Sequence, residues 1–332
     1  MITQTQALKR MEGETRVAMR RLEDTCNKDL LGMWSAAVSD IRASILDIYR
    51  QDFGKDTWDL VGAHSRGTLS RISAASADRL GAFKAQAGKH VADKLSYIHN
   101  QERLRALWMI DQVTPDSFLP KHPFKPAREA KADNPRDAKA TWQQAFGTWI
   151  DTYHTSLNSN LKLETLHEGD IHDAADEAAA TRIGGYEPAY KFRSMFATQA
   201  IQEEADARRA IFDANEDIEE DEIWQTMEDT IVCAICDDYD GKPVSEVPDE
   251  APAHFNCRCY TRFVPKAWAA MLRSGSEEDK QLARDMDAAG LVPDNMAIRS
   301  QKTGELIGRA VISFDDWLPE RGQSITGVAG LL

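Results

Sequence analysis

The sequence predicts a mostly α protein: a long helical N-terminal domain, followed by an α-helical C-terminal module that contains a small loop-rich knuckle and ends in a short β hairpin. Three observations carry that expectation. Apolar residues recur at helical spacing as far as Val113, five of the twelve prolines crowd between Pro115 and Pro135, and four of the five cysteines fall between Cys233 and Cys259. The chain has 332 residues, about twice the size of a common single domain. Hydrophobic residues make up 42% and charged residues 28%, a globular balance with too much Leu, Ile, Trp and Phe for wholesale disorder.

Between Thr5 and Arg50, Leu8, Met11, Ala18, Leu22, Cys26, Leu30, Trp34, Val38, Ile41, Ile45 and Ile48 form one stripe at spacings of three, four and seven, broken by no proline. One long helix, or two nearly collinear ones, is expected, with Cys26 as a small core residue. A second helical region runs from Thr68 to Val113 on Leu69, Ile72, Leu80, Phe83, Val91, Leu95, Ile98, Leu104, Leu107 and Trp108. Proline restricts its own φ and the residue before it, so the main boundary is placed at the proline cluster. Beyond it, Thr141–Leu157, Ile171–Ile183 and Ala189–Asp213 read as helices. The segment from Asp221 changes character at Ile223-Trp224-Gln225-Thr226, and Gly241, Pro243, Pro248 and Pro252 then favour loops. One helix is expected over Lys266–Ala289, a short strand or hairpin over Gly304–Phe314, and a frayed or docked tail over Gly327–Leu332. The expected organisation is a helical domain over 1–114, a proline-rich linker over 115–137, a cysteine-bearing module over 138–265 and a C-terminal region over 266–332.

No stretch approaches ~18 uninterrupted apolar residues, and the start lacks the apolar core of a signal peptide, so membrane spanning and export are not expected. Clustered cysteines in place of evenly spread ones suit a reducing compartment and one local site. The net charge of −14 argues against a surface that coats nucleic acid throughout. Residues 1–130 nonetheless carry 20 Lys and Arg against 16 Asp and Glu, whereas residues 201–250 hold 18 acids against Arg208, Arg209 and Lys242. The mildly basic run Arg66, Arg71, Arg79, Lys84, Lys89, Lys94, Arg103 and Arg105 is the surface on which any DNA contact is expected.

Cys233-Ala-Ile-Cys236 is followed, after seventeen residues, by His254-Phe-Asn-Cys257 and then Arg258-Cys259. Two short two-donor turns at this separation suit a four-coordinate structural zinc, each supplying two vertices of the tetrahedron. Cys233, Cys236, His254 and Cys257 are the expected ligands. Cys259 is a spare or substitute, because a two-residue spacing fits a tight ligand turn less well than a three-residue one. Free buried thiols and a disulfide are the alternatives.

Four protein ligands leave no open position for a catalytic water. The zinc-deaminase pattern is absent, since the CxxC precedes the histidine and Asn256 stands where its glutamate would be. His-Glu-x-x-His, Gly-x-Ser-x-Gly and GxGxxG are absent too. Gly62-Ala-His-Ser-Arg-Gly67-Thr68 has the length of a phosphate loop but lacks its lysine, and reads as a helix-initiating turn. His167 and His172 read as solvated surface beside Glu168 and Asp170. No catalytic residue is expected.

Trp224, Cys233-x-x-Cys236, Asp240-Gly241-Lys242 and Pro252-Ala-His254-Phe-Asn-Cys257-Arg258-Cys259 together resemble the signature of the tailed-phage head-morphogenesis family, the minor head proteins similar to protein F of phage Mu. The resemblance covers about Ala180 to Pro265. Family members often have two prolines before the histidine, where this chain has Pro252 and Ala253. What the resemblance implies is a non-enzymatic structural protein of the procapsid and virion, assembled in the bacterial host cytoplasm and associated with the portal vertex. The portal protein and other head proteins would be its partners and packaged phage DNA a further contact, with no membrane and no small-molecule substrate. Two other classes stay open. A treble-clef nuclease of the HNH type would need a second histidine and an Asn or His on a catalytic cation, and none is found near His254. A zinc-ribbon nucleic-acid adaptor would need basic fingers, whereas the approach from Glu203 to Asp240 is acidic.

Overall fold

The computed structural model describes residues 1–54, 57, 59–122, 142–164, 170–179, 188–226, 232–254 and 257–322. It is mostly helical, with few and short antiparallel strands. Helix α1 spans Gln4–Phe53, α2 Leu60–Ser65 and α3 Thr68–Val113, followed by α4 (Trp142–Glu164), α5 (Ile171–Ala179) and α6 (Pro188–Ala214). Then come β1 (Glu219–Gln225), α7 (Ala234–Tyr239), β2 (Tyr260–Pro265), α8 (Trp268–Ser274), α9 (Glu277–Ala288), β3 (Ala297–Arg299), β4 (Leu306–Gly308) and α10 (Phe314–Glu320). The two long helices predicted from periodicity form as one helix each, and Leu8, Met11, Cys26, Leu30, Trp34, Ile41 and Ile45 of the first stripe are buried. The phosphate-loop look-alike is α2, a turn with Gly67 at φ +72°, and the start of α3, so it is indeed a helix-initiating turn.

Two predicted elements differ. The expected helix Lys266–Ala289 breaks into α8 and α9, because the side chain of Ser276 accepts a hydrogen bond from Asp279 N–H and the Asp279 carboxylate accepts one from Ser276 N–H, a capping box that starts a new helix. The hairpin lies earlier than expected, with β3 paired to β4 in the register Ala297↔Gly308 and Arg299↔Leu306. Phe314 instead opens α10, where Ser313 accepts from Asp316 N–H and acids fill the first turn. The expected tail over Gly327–Leu332 lies outside the described residues.

The chain packs as two compact units, neither of them contiguous, whose boundaries fall inside α1, α3 and α6 and at Glu129/Ala130, within the expected proline-rich stretch. The first comprises Met1–Arg21, Leu95–Glu129 and Ala200–Leu332, and the second Leu22–Lys94 and Ala130–Gln199. Each draws on both sides of the proline cluster, so the packing does not divide in sequence order. The described part of that stretch is not a free connector: Asn215 accepts from Lys121 N–H at 2.7 Å and donates to Lys121 O at 2.9 Å. Residues 123–137, the remainder of the expected linker, lie outside the described residues.

The second unit is built on aromatic packing. Trp34 meets Tyr153 at 4.6 Å, Trp149 at 5.0 Å and Phe83 at 5.2 Å between ring centroids, and Phe146 and Phe192 complete the cluster. Edge-on and tilted rings suit the quadrupoles of the π faces. The Tyr153 hydroxyl, buried with the rings, donates to Ala179 O at 2.6 Å.

In the first unit the last turns of α3 are buried nearly all round, from Glu102 to Thr114. A helix buried on every side must find partners for its polar groups. Asp111 accepts from Trp317 Nε1 at 2.9 Å and from Arg321 at 2.8 Å, while Arg309 donates to the terminal carbonyls of Asp111 and Thr114. Gln4, also buried, donates to Val113 O and Lys266 O and accepts from Trp268 N–H, each at 3.0 Å.

Deeper still lies a cluster of charges. Arg208 donates through Nε and Nη2 to Glu102, both at 3.0 Å, and stands 3.2 Å from Glu204, all three being almost fully buried. Arg16 bonds Glu204 at 2.9 Å, and its guanidinium lies 3.8 Å over the Tyr260 ring. Although burial pulls the other way, the carboxylates of Glu204, Glu102 and Glu12 hold the Arg208 guanidinium above its ordinary value.

Two predictions follow from this packing. Arg208→Ala strands two buried carboxylates and should lower stability by about 3–5 kcal/mol in equilibrium urea unfolding; a loss under about 1 kcal/mol would show that water already solvates the cluster. The second concerns Glu219 at the start of β1, which burial pushes up to about 7, with Glu222, Asp213, Asp221 and Glu216 adding repulsion. A carboxyl held above its ordinary 4.5 favours folding only while protonated, so that stability is full below about pH 4.5 and is lost as pH rises through about 7. Glu219→Gln should therefore raise Tm at about pH 8 and leave it nearly unchanged at about pH 4.

Candidate metal centre

Two strands and one short helix bring the cysteines together. β1 pairs antiparallel with β2 in the register Gln225↔Tyr260, Trp224↔Thr261 and Ile223↔Arg262. Trp224, fully buried, donates its backbone N–H to Lys242 O and accepts from Gly241 N–H, both at 2.9 Å, and packs edge-on against Tyr239 at 5.2 Å. Gly241 takes φ +75°, a left-handed turn that glycine adopts without steric cost. The Asp240 carboxylate accepts from Thr226 N–H at 2.7 Å and from Gln225 Nε2 at 3.0 Å. The Asp240-Gly241-Lys242 turn thus fastens α7, and the CxxC at its start, to the end of β1.

Cys233 caps α7 and its sulfur accepts from Cys236 N–H at 3.4 Å. His254 Nε2 lies 3.0 Å from the Cys233 sulfur and 3.2 Å from the Cys236 sulfur, and the sulfurs of Cys236 and Cys257 are 3.6 Å apart. Donors on a tetrahedral ion, at about 2.3 Å for sulfur and about 2.0 Å for nitrogen, stand about 3.5–3.8 Å from one another. These contacts are therefore at or just inside coordination separations. Two sets have the geometry to hold a metal ion, Cys233, Cys236 and His254 in one and Cys236, Cys257 and Cys259 in the other. Cys236 belongs to both.

The centre is lined by Trp224, Ala251, Val232, Tyr239, Val247 and Ala253, with Cys236, Cys257 and Cys259 buried and Cys233 and His254 half-buried. A hydrogen bond from the Cys259 thiol outweighs burial and holds Cys257 down at about 5, while that same contact together with burial pushes Cys259 up. Burial raises Cys233, but the N–H of Cys236 and the imidazole of His254 overcome it and leave the thiol below its ordinary value. All five cysteines are free, and 3.6 Å between Cys236 and Cys257 is far beyond an S–S bond of about 2.0 Å.

The structure thus gathers Cys233 and His254 beside Cys236 in one set, and Cys257 with Cys259, which the two-residue spacing had argued down, beside Cys236 in the other. The reason is local. Residues 257–259 lead directly into β2, and Cys257 and Cys259 both lie within reach of Cys236. A Cys-x-Cys pair directly before a strand is the signal that would have found it.

The basic residues fare differently. Arg103 is 1% exposed, and Arg105 is nearly buried beside Glu102 with its guanidinium 4.3 Å over the Phe314 ring, so neither faces DNA. Both sit where α3 is enclosed in the core, and the sequence pattern there could not distinguish a core-facing from a solvent-facing arginine. Arg71 pairs with Asp52, and Arg66 lies 4.7 Å over the Phe53 ring. Arg66, Arg71, Arg79, Lys84 and Lys89 are exposed and Lys94 half-buried. At about 100° per residue, Arg71 and Lys89 share one side of α3 while Arg79, Lys84 and Lys94 point elsewhere. These cations form no single stripe.

Comparison of the chain with protein-family models, with curated proteins and with solved structures yields no match. Because Cys236 belongs to both donor sets, Cys236→Ser should cost more metal than Cys259→Ser. Elemental analysis of the full chain should give about one transition-metal ion, lost in Cys236→Ser along with protease resistance of residues 232–259. A metal-free wild type with that segment still resistant would reduce the cluster to buried thiols.

Proposed function

We propose that this chain is a minor head protein of a tailed phage, with a structural role in procapsid and head assembly at or near the portal vertex, and that its knuckle holds one structural zinc. The observation that carries the reading is that the separate pieces of the signature have interlocking roles in one module. Trp224 and Asp240-Gly241-Lys242 fasten the first cysteine pair to β1, and His254, Cys257 and Cys259 close on that pair just before β2. Such interdependence supports family likeness better than a lone CxxC would.

Zinc is supported by the donor chemistry. Clustered thiolate and imidazole donors suit a borderline-soft ion, and once four protein donors close on it no position is left for a reacting water. The loop from Gly241 to Pro252 buries little apolar surface beyond Ala251 and Pro252, so a bound ion is a natural source of the stability needed to order it. Its ligands would be Cys233, Cys236, His254 and Cys257, with Cys259 in reserve. The proposed role is non-catalytic, exercised in the phage head after assembly in the host cytoplasm, with the portal protein and other head proteins as partners. Any contact with packaged DNA falls to the exposed cations of α3, Arg71, Arg79, Lys84 and Lys89, taken singly and not as one face.

Co-expression with the portal protein of the same phage should yield a co-purifying complex, and the purified chain should leave supercoiled plasmid intact with Mg²⁺, Mn²⁺ or Zn²⁺. Metal-dependent nicking that disappears in His254→Ala would overturn the reading in favour of a nuclease.

A further inference from the structure

The centre offers five donors for four positions, and they are not distributed evenly. Cys233 and Cys236, on the cap and first turn of α7, form one arm. The second arm supplies three donors, His254, Cys257 and Cys259, for the two positions that remain. Cys257 is common to both pairs this arm can present, His254 with Cys257 across a turn closed by the Cys257 N–H to His254 O bond of 3.0 Å, or Cys257 with Cys259 along the chain entering β2.

We infer that His254 and Cys259 are alternative ligands for one ion, so that either can complete the tetrahedron on Cys233, Cys236 and Cys257. The inference rests on the metal-centre reading above. His254 lies on the half-exposed rim with its Nε2 on the two sulfurs of the first arm, whereas Cys259 is 4% exposed and grouped with Cys236 and Cys257 on the inner side. Both candidates lie in a donor set with Cys236, the sulfur the two sets share, so exchange turns about that fixed ligand while the second arm closes on Cys233. The bond from the ion to His254 Nε2 breaks, the bond to the Cys259 sulfur forms, and the Cys259 thiol proton leaves to solvent. No oxidant or reductant is involved. A histidine ligand gives the assembly of one dication and three thiolates a charge of −1, and four thiolates give −2. In surroundings that already include Asp237, Asp238 and Asp240, the histidine form is the resting one and the thiolate form the reserve.

The test is a double-mutant cycle on the full chain loaded with Co²⁺, read by thiolate-to-cobalt absorption and by competition with a chelator. His254→Ala should still bind one Co²⁺ per chain, with stronger charge-transfer absorption from a fourth thiolate and less than about tenfold weaker affinity. Cys259→Ser should keep the wild-type spectrum and affinity. The double variant should lose more than about a thousandfold, far beyond the product of the single losses. Should His254→Ala alone lose the ion as completely as the double variant, Cys259 is no substitute and the inference fails. Equal spectra for His254→Ala and wild type would also overturn it, because histidine would then never have been a ligand. A wild-type chain that takes up no Co²⁺ would instead defeat the metal-centre reading itself.

Discussion

The first unit depends on a guanidinium taken out of water. Arg208 is 1% exposed, and a buried charge of this kind is tolerable only when opposite charges and hydrogen bonds surround it. Glu102 on α3 and Glu204 on α6 satisfy it directly, and Arg16 on α1 in turn satisfies Glu204. Because each bond requires side chains within about 3 Å, the three helices have little freedom to slide past one another in this unit. The same arginines reach β2. Arg16 covers the face of Tyr260 and Arg208 lies 6.0 Å from that ring, and Tyr260 is the residue after Cys259. The charge cluster therefore abuts the strand into which the knuckle runs, at the residue next to Cys259.

A second layer of polar ties fastens the ends of the described chain to that frame. Gln4 uses both ends of its amide to join α1 to the end of α3 and to the start of α8. Arg309 and Arg321 meet the backbone and carboxylate of Asp111, and Trp108 Nε1 donates to Ile312 O at 3.1 Å. These residues come from positions hundreds of residues apart in sequence. Such long-range ties are costly to form in an unfolded chain, but once made they leave few buried polar groups of α3 for water to claim.

The knuckle is held in a different way. Its hydrogen bonds are mostly short in sequence span, between β1 and the Asp240-Gly241-Lys242 turn, and its apolar contribution is one tryptophan, one tyrosine and a few small residues. Acids surround it, among them Asp237, Asp238, Asp240 and Glu246. A cation at the sulfurs offsets that charge and joins the two arms, which is why the stability of this module is expected to follow metal content while that of the long helices is not.

The sequence by itself determined the two long helices, whose stripes run unbroken by proline over many turns, and the pairing of Cys233-x-x-Cys236 with His254-x-x-Cys257, because periodicity and ligand spacing are local properties that survive reading one residue at a time. Boundaries set by local chemistry were legible too, though not all were read: Ser276 with Asp279 marks the break between α8 and α9 as plainly as any cap. What only the tertiary structure decided is which polar residues are inside. Arg103, Arg105, Glu102 and Arg208 look like solvated charge in a linear reading, yet α3 is enclosed over its last turns and turns them into partners. Cys259 is likewise ambiguous until the chain leading into β2 places it beside Cys236. A charge or a thiol acquires its role from what lies opposite it in space, and in this chain the opposite partner is commonly a hundred residues away.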